Sequence, residues 1–185
     1  EGYFKKITPQ SLRMSGEHKL KENDEIIQTV ETTNSAHLLF FTDKQQVYKA
    51  RVGDFDDTKA SVMGDFVASK LEMDKDELPL YMAVTDDFSG YMLFFFDNGR
   101  VSKVEMSAYQ TKTNRKKLIK AYCDKFPIVT FAYIREECEY VMRSTNGRIL
   151  LLSSAVLTAK TTKDTQGVMV MTQKRGQHLA EAAKY

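Results

Sequence analysis

The sequence predicts an all-β protein made of a repeated small-sheet unit, and three observations carry that prediction. Hairpin-like segments come three times, at Leu38–Ala50, Gly90–Met106 and Tyr140–Leu152. Aligned on their turns, Asp43, Asp97 and Thr145 correspond, at offsets of 54 and 48. The loops that follow repeat as well: Thr58–Gly64, Thr111–Lys117 and Thr161–Gly167 stand at offsets of 53 and 50, each with Thr and at least one Lys. Apolar spacing at the helical period is nearly absent. A period of about 50 residues points to units such as propeller blades, each needing its neighbours to bury its faces.

Gly2–Ile7 is a short strand ended by Thr8-Pro9, and the polar run Gln10–Asn23, with Gly16 inside it, reads as a loop. Ile26, Ile27 and Val30 predict a strand over Asp24–Thr32, and Asn34-Ser35 a turn into the first hairpin. Gly53–Asp57 leaves that hairpin, the loop Thr58–Gly64 follows, and Phe66–Ala68 reads as a strand. An acidic turn over Glu72–Glu77 precedes the strand Leu80–Thr85.

The central hairpin, Gly90–Met106, joins Tyr91–Phe96 to Val101–Glu105 through Asp97-Asn98-Gly99-Arg100. Its Asn-Gly pair predicts a tight type I′ turn. Phe94, Phe95 and Phe96 are expected in the core, because adjacent strand residues point to opposite faces and both faces of a blade are covered. Pro127–Ile134, β-branched and aromatic, is a strand, and Arg135–Glu139 turns into the third hairpin. Gly167–Met171 reads as a last strand. The Ala-rich end, Gln177–Tyr185, predicts a short helix.

The 185 residues are 28% charged and 42% hydrophobic, as in a soluble globular protein, and are enough for one domain over 1–185, with two small domains as the alternative. No signal peptide or long apolar span stands out, so the chain is read as part of a larger cytoplasmic protein with no membrane partner. Cys123 and Cys138 have no metal spacing and are read as free thiols. Net charge is +2 but uneven: successive stretches 1–50, 51–100, 101–150 and 151–185 carry 0, −6, +5 and +3. A basic C-terminal half beside an acidic second quarter fits an anionic partner on one part of the surface.

Hairpin and loop motifs together resemble a known family. Gly2-Tyr3-Phe4-Lys5-Lys6 is followed by LLFFTDKQQVYK at 38–49, FFFDNGRV at 94–101, TNGRI at 145–149 and TQGV at 165–168. This ordered set, over nearly the whole chain, is similar to the C-terminal domain of the A subunit of bacterial type II topoisomerases, DNA gyrase and topoisomerase IV. The resemblance implies a β-pinwheel of four-stranded blades with DNA bent around a basic rim. About 50 residues per blade leaves room for three to four blades, a partial or open ring. It also implies a longer parent chain, an ATP-dependent type II topoisomerase acting with an ATPase partner. ATP, Mg²⁺ and the catalytic tyrosine would all lie on other domains. Two features depart from the family. The gyrase box, Gln-(Arg/Lys)-Arg-Gly-Gly-(Arg/Lys)-Gly, does not stand at Met14–Lys19, and Gln173-Lys174-Arg175-Gly176 is only a partial echo. The segment Asp54–Glu77 is acidic, which is a poor rim for DNA.

A wrapping surface needs cations at phosphate spacing, with no reading of bases. The repeated loops supply them: Lys59; Lys112, Arg115, Lys116, Lys117 and Lys120; Lys160 and Lys163; Lys174 and Arg175. Lys112–Lys120 is densest, with five cations in nine residues. By itself such a run reads as a solvated loop; loop periodicity and resemblance turn it into a phosphate-contact candidate. Arg100 and Arg148, after the Asn-Gly turns, fit DNA contact and blade packing equally.

Asp54-Phe55-Asp56-Asp57 opens like a calcium loop, but Lys59 and Asp65 stand where Gly and Glu are required. His18, His37 and His178 have no ligand spacing, there is no phosphate-binding G-x-x-x-x-G-K-[ST] loop, and no nucleophile–base pairing emerges. The expectation is a non-catalytic DNA-binding and DNA-bending domain that presents duplex DNA to a strand-passage core. The acidic stretch and small net charge motivate one alternative, a propeller-like protein-interaction module.

Overall fold

The computed structural model describes residues 1–14, 18–113 and 115–185. Ser15, Gly16 and Glu17, in the polar run where the box is absent, and Asn114 in the densest basic loop lie outside the described residues. The chain forms two compact units, Glu1–Asp86 and Asp87–Tyr185.

The first unit holds β1 (Tyr3–Phe4), α1 (Pro9–Met14), β2 (His37–Thr42), β3 (Val47–Arg51), β4 (Asp65–Phe66), α2 (Val67–Lys70) and β5 (Pro79–Thr85). β2 pairs antiparallel with both β3 and β5, and β1 with β4. Leu38, Phe40, Tyr48, Val52, Phe55 and Val67 form its buried core, with Phe4 packed against them.

The second unit holds β6 (Tyr91–Phe96), β7 (Arg100–Glu105), β8 (Lys117–Leu118), β9 (Ile128–Ile134), β10 (Glu139–Ser144), β11 (Ile149–Ser153), β12 (Val168–Met169) and β13 (Leu179–Lys184). Its sheets run β12-β7-β6-β9 and β11-β10-β13. Leu93, Phe95, Ile134, Tyr140, Met142 and Leu152 share one core. Phe94, Phe95 and Phe96 are all fully buried, as the alternation argument requires. Phe94 stacks on Tyr122, while Phe95 packs against Tyr140 and Phe96 against Phe126.

The predicted repeat is real, and its basis is a hairpin whose first strand also takes the next long strand. In all three repeats that pairing shifts register at the same place: Phe41/Thr42, Phe95/Phe96 and Arg143/Ser144. Two of the three loops repeat too. Gly64 and Gly167, both at positive φ, lie flat on the carbonyls of Phe4 and Val101, where a Cβ would meet oxygen at 2.3 and 2.2 Å. Each glycine then leads into a two-residue strand, β4 or β12.

Several sequence expectations are corrected. The hairpins do not close through type I′ turns. They use three-residue loops whose last residue, Gln45, Gly99 or Gly147, is left-handed, while Asn98 and Asn146 are not. Gly99 N–H donates to Phe96 O, and Gly147 N–H to Ser144 O, both at 3.0 Å. A type I turn followed by a left-handed bulge residue suits strand twist as a type I′ turn does.

The supposed loop after Thr8 begins instead with α1. Thr8 Oγ1 accepts from Ser11 N–H at 3.2 Å, and Pro9 takes the first helical position. Asp24–Thr32 is not a strand: Ile26, Ile27 and Val30 are exposed and no backbone ladder forms. Instead the Gln28 carboxamide donates to Met82 O and accepts from Met82 N–H, both at 2.9 Å, so one side chain takes the place of a pairing strand. At 66–68 only Phe66 is strand, and Val67 opens α2. Only Val168–Met169 of Gly167–Met171 pairs.

The terminal helix is instead β13. It pairs with β10 over Tyr140↔Lys184 to Ser144↔Leu179, so an open sheet edge overrides the helix preference of LAEAAK.

Candidate nucleic-acid interface

The densest basic run is held at both ends. A short 3-10 helix, Met106–Tyr109, follows β7 and buries Tyr109 completely. The Tyr109 hydroxyl donates to Ala121 O at 2.7 Å, closing the segment between them. Beyond Ala121, Tyr122 lies on Phe94 with ring centroids 5.3 Å apart and meets Phe131 edge-on at 5.2 Å. Leu118 is buried. Within the loop, Thr111 Oγ1 donates to Thr113 O at 2.6 Å and Arg115 N–H donates to the same carbonyl at 2.7 Å.

From this base Lys112, Arg115, Lys116 and Lys120 project as exposed residues, and Lys117 is half-buried in β8. Lys120 has a left-handed backbone, φ 51°.

The other candidates in the second unit also stand on fixed backbone. Lys160 N–H donates to Lys103 O and Lys160 O accepts from Glu105 N–H, both at 2.9 Å, so the chain is laced to β7 while the side chain is exposed. Lys163 is half-buried. Lys174 and Arg175 are exposed in a turn where Gln177 N–H reaches Lys174 O at 2.9 Å. Among the described residues no ion pair engages Lys112, Arg115, Lys116, Lys120, Lys160, Lys163, Lys174 or Arg175. Lys59 is exposed in the first unit, where Val62 N–H donates to its carbonyl at 3.0 Å. Clustered cations on short loops, without ion-pair partners among the described residues, have the chemistry to neutralise a polyanion and release its counterions.

Not every cation is of this kind. Arg100 Nη1 donates to Gly167 O at 3.0 Å, and Arg148 Nη1 to Thr172 O at 2.8 Å, so both arginines hold neighbouring backbone. Lys103 is a buried structural cation that no sequence motif singled out. Its side chain is only 4% exposed; Nζ donates to Glu137 Oε1 at 2.5 Å, Ser154 O at 3.1 Å and Leu157 O at 3.3 Å, and lies 4.4 Å from the Tyr91 ring centre. Lys6 has the same role in the first unit, donating to Val52 O at 3.2 Å and Asn34 Oδ1 at 3.0 Å. Val52 and Ser154 each begin the 3-10 turn after a hairpin. The signal was in the sequence: Gly2…Lys6 and Gly99…Lys103 share one spacing.

Charge divides with the fold. Residues 1–86 carry 11 basic and 16 acidic side chains, net −5; residues 87–185 carry 16 and 9, net +7. Among the described residues no helix is long and apolar enough to cross a membrane.

No protein-family model matches the chain. In sequence it is 28% identical over 123 residues to a DNA topoisomerase 4 protein of Bacillus subtilis (strain 168), its A subunit, covering 64% of this chain and 15% of that protein. In structure it is similar over its full length to the C-terminal domain of DNA topoisomerase IV, with a TM-score of 0.83 at 23% identity and 58% of that chain covered. The C-terminal domain of DNA gyrase A matches over the full length at TM-score 0.60 and 15% identity, with 57% of that chain covered. The E. coli ParC C-terminal domain matches 90% of this chain at TM-score 0.68 and 14% identity, with 69% of that chain covered. This chain therefore carries the β-pinwheel fold of the C-terminal domains of topoisomerase IV and gyrase A.

Proposed function

We propose that this chain is a non-catalytic DNA-binding and DNA-bending domain of a type II topoisomerase A subunit, presenting duplex DNA to a strand-passage core. The observation that carries the reading is the clamped loop between Tyr109 and Ala121, with exposed cations at Lys112, Arg115, Lys116 and Lys120 that have no ion-pair partner among the described residues. The fold of topoisomerase C-terminal domains supports it. On this reading the parent is a bacterial cytoplasmic enzyme. Strand cleavage, ATP and Mg²⁺ belong to its other domains and its ATPase partner. Gln173–Gly176 is no full gyrase box, which favours topoisomerase IV-like guiding of DNA over chiral wrapping.

The test is binding of the 185-residue chain to a linear duplex of about 40 base pairs across a salt series, where each neutralised phosphate adds about −0.9 to the log–log slope. A slope steeper than about −3 is expected, with fluorescence transfer between the duplex ends rising on binding. No binding at low salt overturns the reading and favours a protein-interaction module. Binding without bending removes the bending role.

A further inference from the structure

We infer that the DNA contact is confined to the second compact unit, residues 87–185, and that the first unit contributes almost nothing to it; the inference rests on the DNA-binding reading above. The argument is how each unit uses its cations. In residues 1–86 most are committed internally. Lys5 donates to Ala60 O at 2.9 Å, Lys6 to Val52 O at 3.2 Å, and Lys21 pairs with Glu1 at 2.7 Å. Lys44 donates to Lys75 O, Arg51 Nη1 to Ser35 O at 3.2 Å, and Lys70 lies 5.6 Å from the Phe55 ring centre. Lys49 is engaged as well. Such a side chain gives up an existing partner to reach a phosphate, so the exchange gains little. Among the described residues Arg13, Lys19, Lys59 and Lys75 remain without a side-chain partner, in a unit with 16 carboxylates.

In residues 87–185 the proportion is reversed. Among the described residues ten of the 16 cations, Lys112, Arg115, Lys116, Lys120, Lys160 and Lys174 among them, have neither an ion pair nor a side-chain hydrogen bond, and the unit holds only 9 carboxylates. Free cations attract phosphate, and carboxylates repel it. Lys59 occupies the same place in the repeat as the basic loops but stands close in sequence to Asp54, Asp56, Asp57 and Asp65.

Two measurements on the whole 185-residue chain test this. The triple variant Lys112→Ala, Arg115→Ala, Lys116→Ala is expected to lower duplex affinity at least about tenfold at about 0.1 M salt and flatten the salt slope by roughly 2 to 3 units. The triple variant Lys19→Ala, Lys59→Ala, Lys75→Ala is expected to change affinity less than about twofold. Lysine acylation footprinting then maps contacts without any mutation. Lys112, Lys116, Lys120, Lys160 and Lys174 are expected to be shielded by DNA, and Lys19, Lys59 and Lys75 to react as in the free protein. If the chain binds DNA and the first-unit triple loses as much, or its lysines are shielded, the confinement is wrong while DNA binding stands. If the unmodified chain does not bind, the DNA reading fails and the confinement falls with it.

Discussion

The hydroxyl of Tyr109 and the carbonyl of Ala121 meet at 2.7 Å in a site where neither residue has any exposure to water. This hydrogen bond ties together the two ends of the most basic loop of the protein. Burial pushes the Tyr109 phenol well above its ordinary pKa, so it remains a donor throughout the working range of pH.

Tyr109→Phe keeps the ring and leaves the Ala121 carbonyl buried without its donor, a loss of about 1–3 kcal/mol. Urea denaturation is expected to show that loss, and hydrogen exchange to speed up in residues 110–120 more than in β6. Stability within about 0.5 kcal/mol of the parent with unchanged exchange would show that packing alone holds the loop.

Lys103 and Glu137 form a mixed pair, the ammonium buried and the carboxylate 39% exposed on its side chain. Lys103→Met preserves length but leaves Ser154 O and Leu157 O without their cation, and about 2–4 kcal/mol of stability is expected to be lost. Loss under about 0.5 kcal/mol in urea melts would mean that water replaces the ammonium.

The same pair has a pH signature. Hydrogen bonds from Lys103 and then Ser154 hold the Glu137 carboxyl below its usual pKa. The pair's contribution is therefore complete above the unfolded value, about 4.3, and is lost as pH falls through the folded value. Glu137→Gln is expected to lower stability at pH 7 and to flatten its decline between about pH 5 and 3. A parallel decline in both proteins would show no linkage at Glu137.

Glu77 is a buried carboxylate that, among the described residues, has no ion-pair partner. It accepts from Thr42 Oγ1 at 2.5 Å, Tyr48 Oη at 2.7 Å, Gln46 Nε2 at 2.8 Å and Asp74 N–H at 2.9 Å. Burial pushes its pKa up, but these donors outweigh burial and leave it lowered. Glu77→Gln sets an NH₂ group against donors, and a loss of about 2–4 kcal/mol is expected. A thermal midpoint unchanged from the parent would show that the network reorganises around the amide.

Gly167 and Gly147 are both left-handed, with φ of 69° and 86°, but their surroundings differ. A Cβ at Gly167 would lie 2.2 Å from Val101 O, whereas nothing stands within 4 Å of one at Gly147. Gly147→Ala is expected to cost about 1–2 kcal/mol from backbone conformation alone. Gly167→Ala is expected to cost more, because β12 must move off β7. Equal thermal midpoints for the two variants would mean that the loop before β12 yields freely.

Much of the fold was legible because hairpins are local. Tyr91–Phe96 and Arg100–Glu105 pair across a three-residue loop, and their aromatic and β-branched residues need no distant information to become strands. The basic loop was legible as composition. Its clamp was not, because Tyr109 and Ala121 belong to no recognised pattern and meet only when the segment between them closes. Asp24–Thr32 misled for the converse reason: a strand-like sequence forms a strand only beside a free edge, and Gln28 has occupied Met82.

By itself the sequence determined the repeat, the three hairpins, the core place of Phe94–Phe96 and the uneven charge, since each depends on neighbours a few residues apart or on side-chain identity. The tertiary structure alone decided which long strand joins each hairpin and that LAEAAK is a strand. It also decided which cations are spent on the protein's own carbonyls, at Lys6, Arg100, Lys103 and Arg148, and which keep a free side chain among the described residues. The physical reason is common to all three. A sheet edge and a buried carbonyl are strong demands on whatever reaches them, and only the folded chain sets what lies within reach.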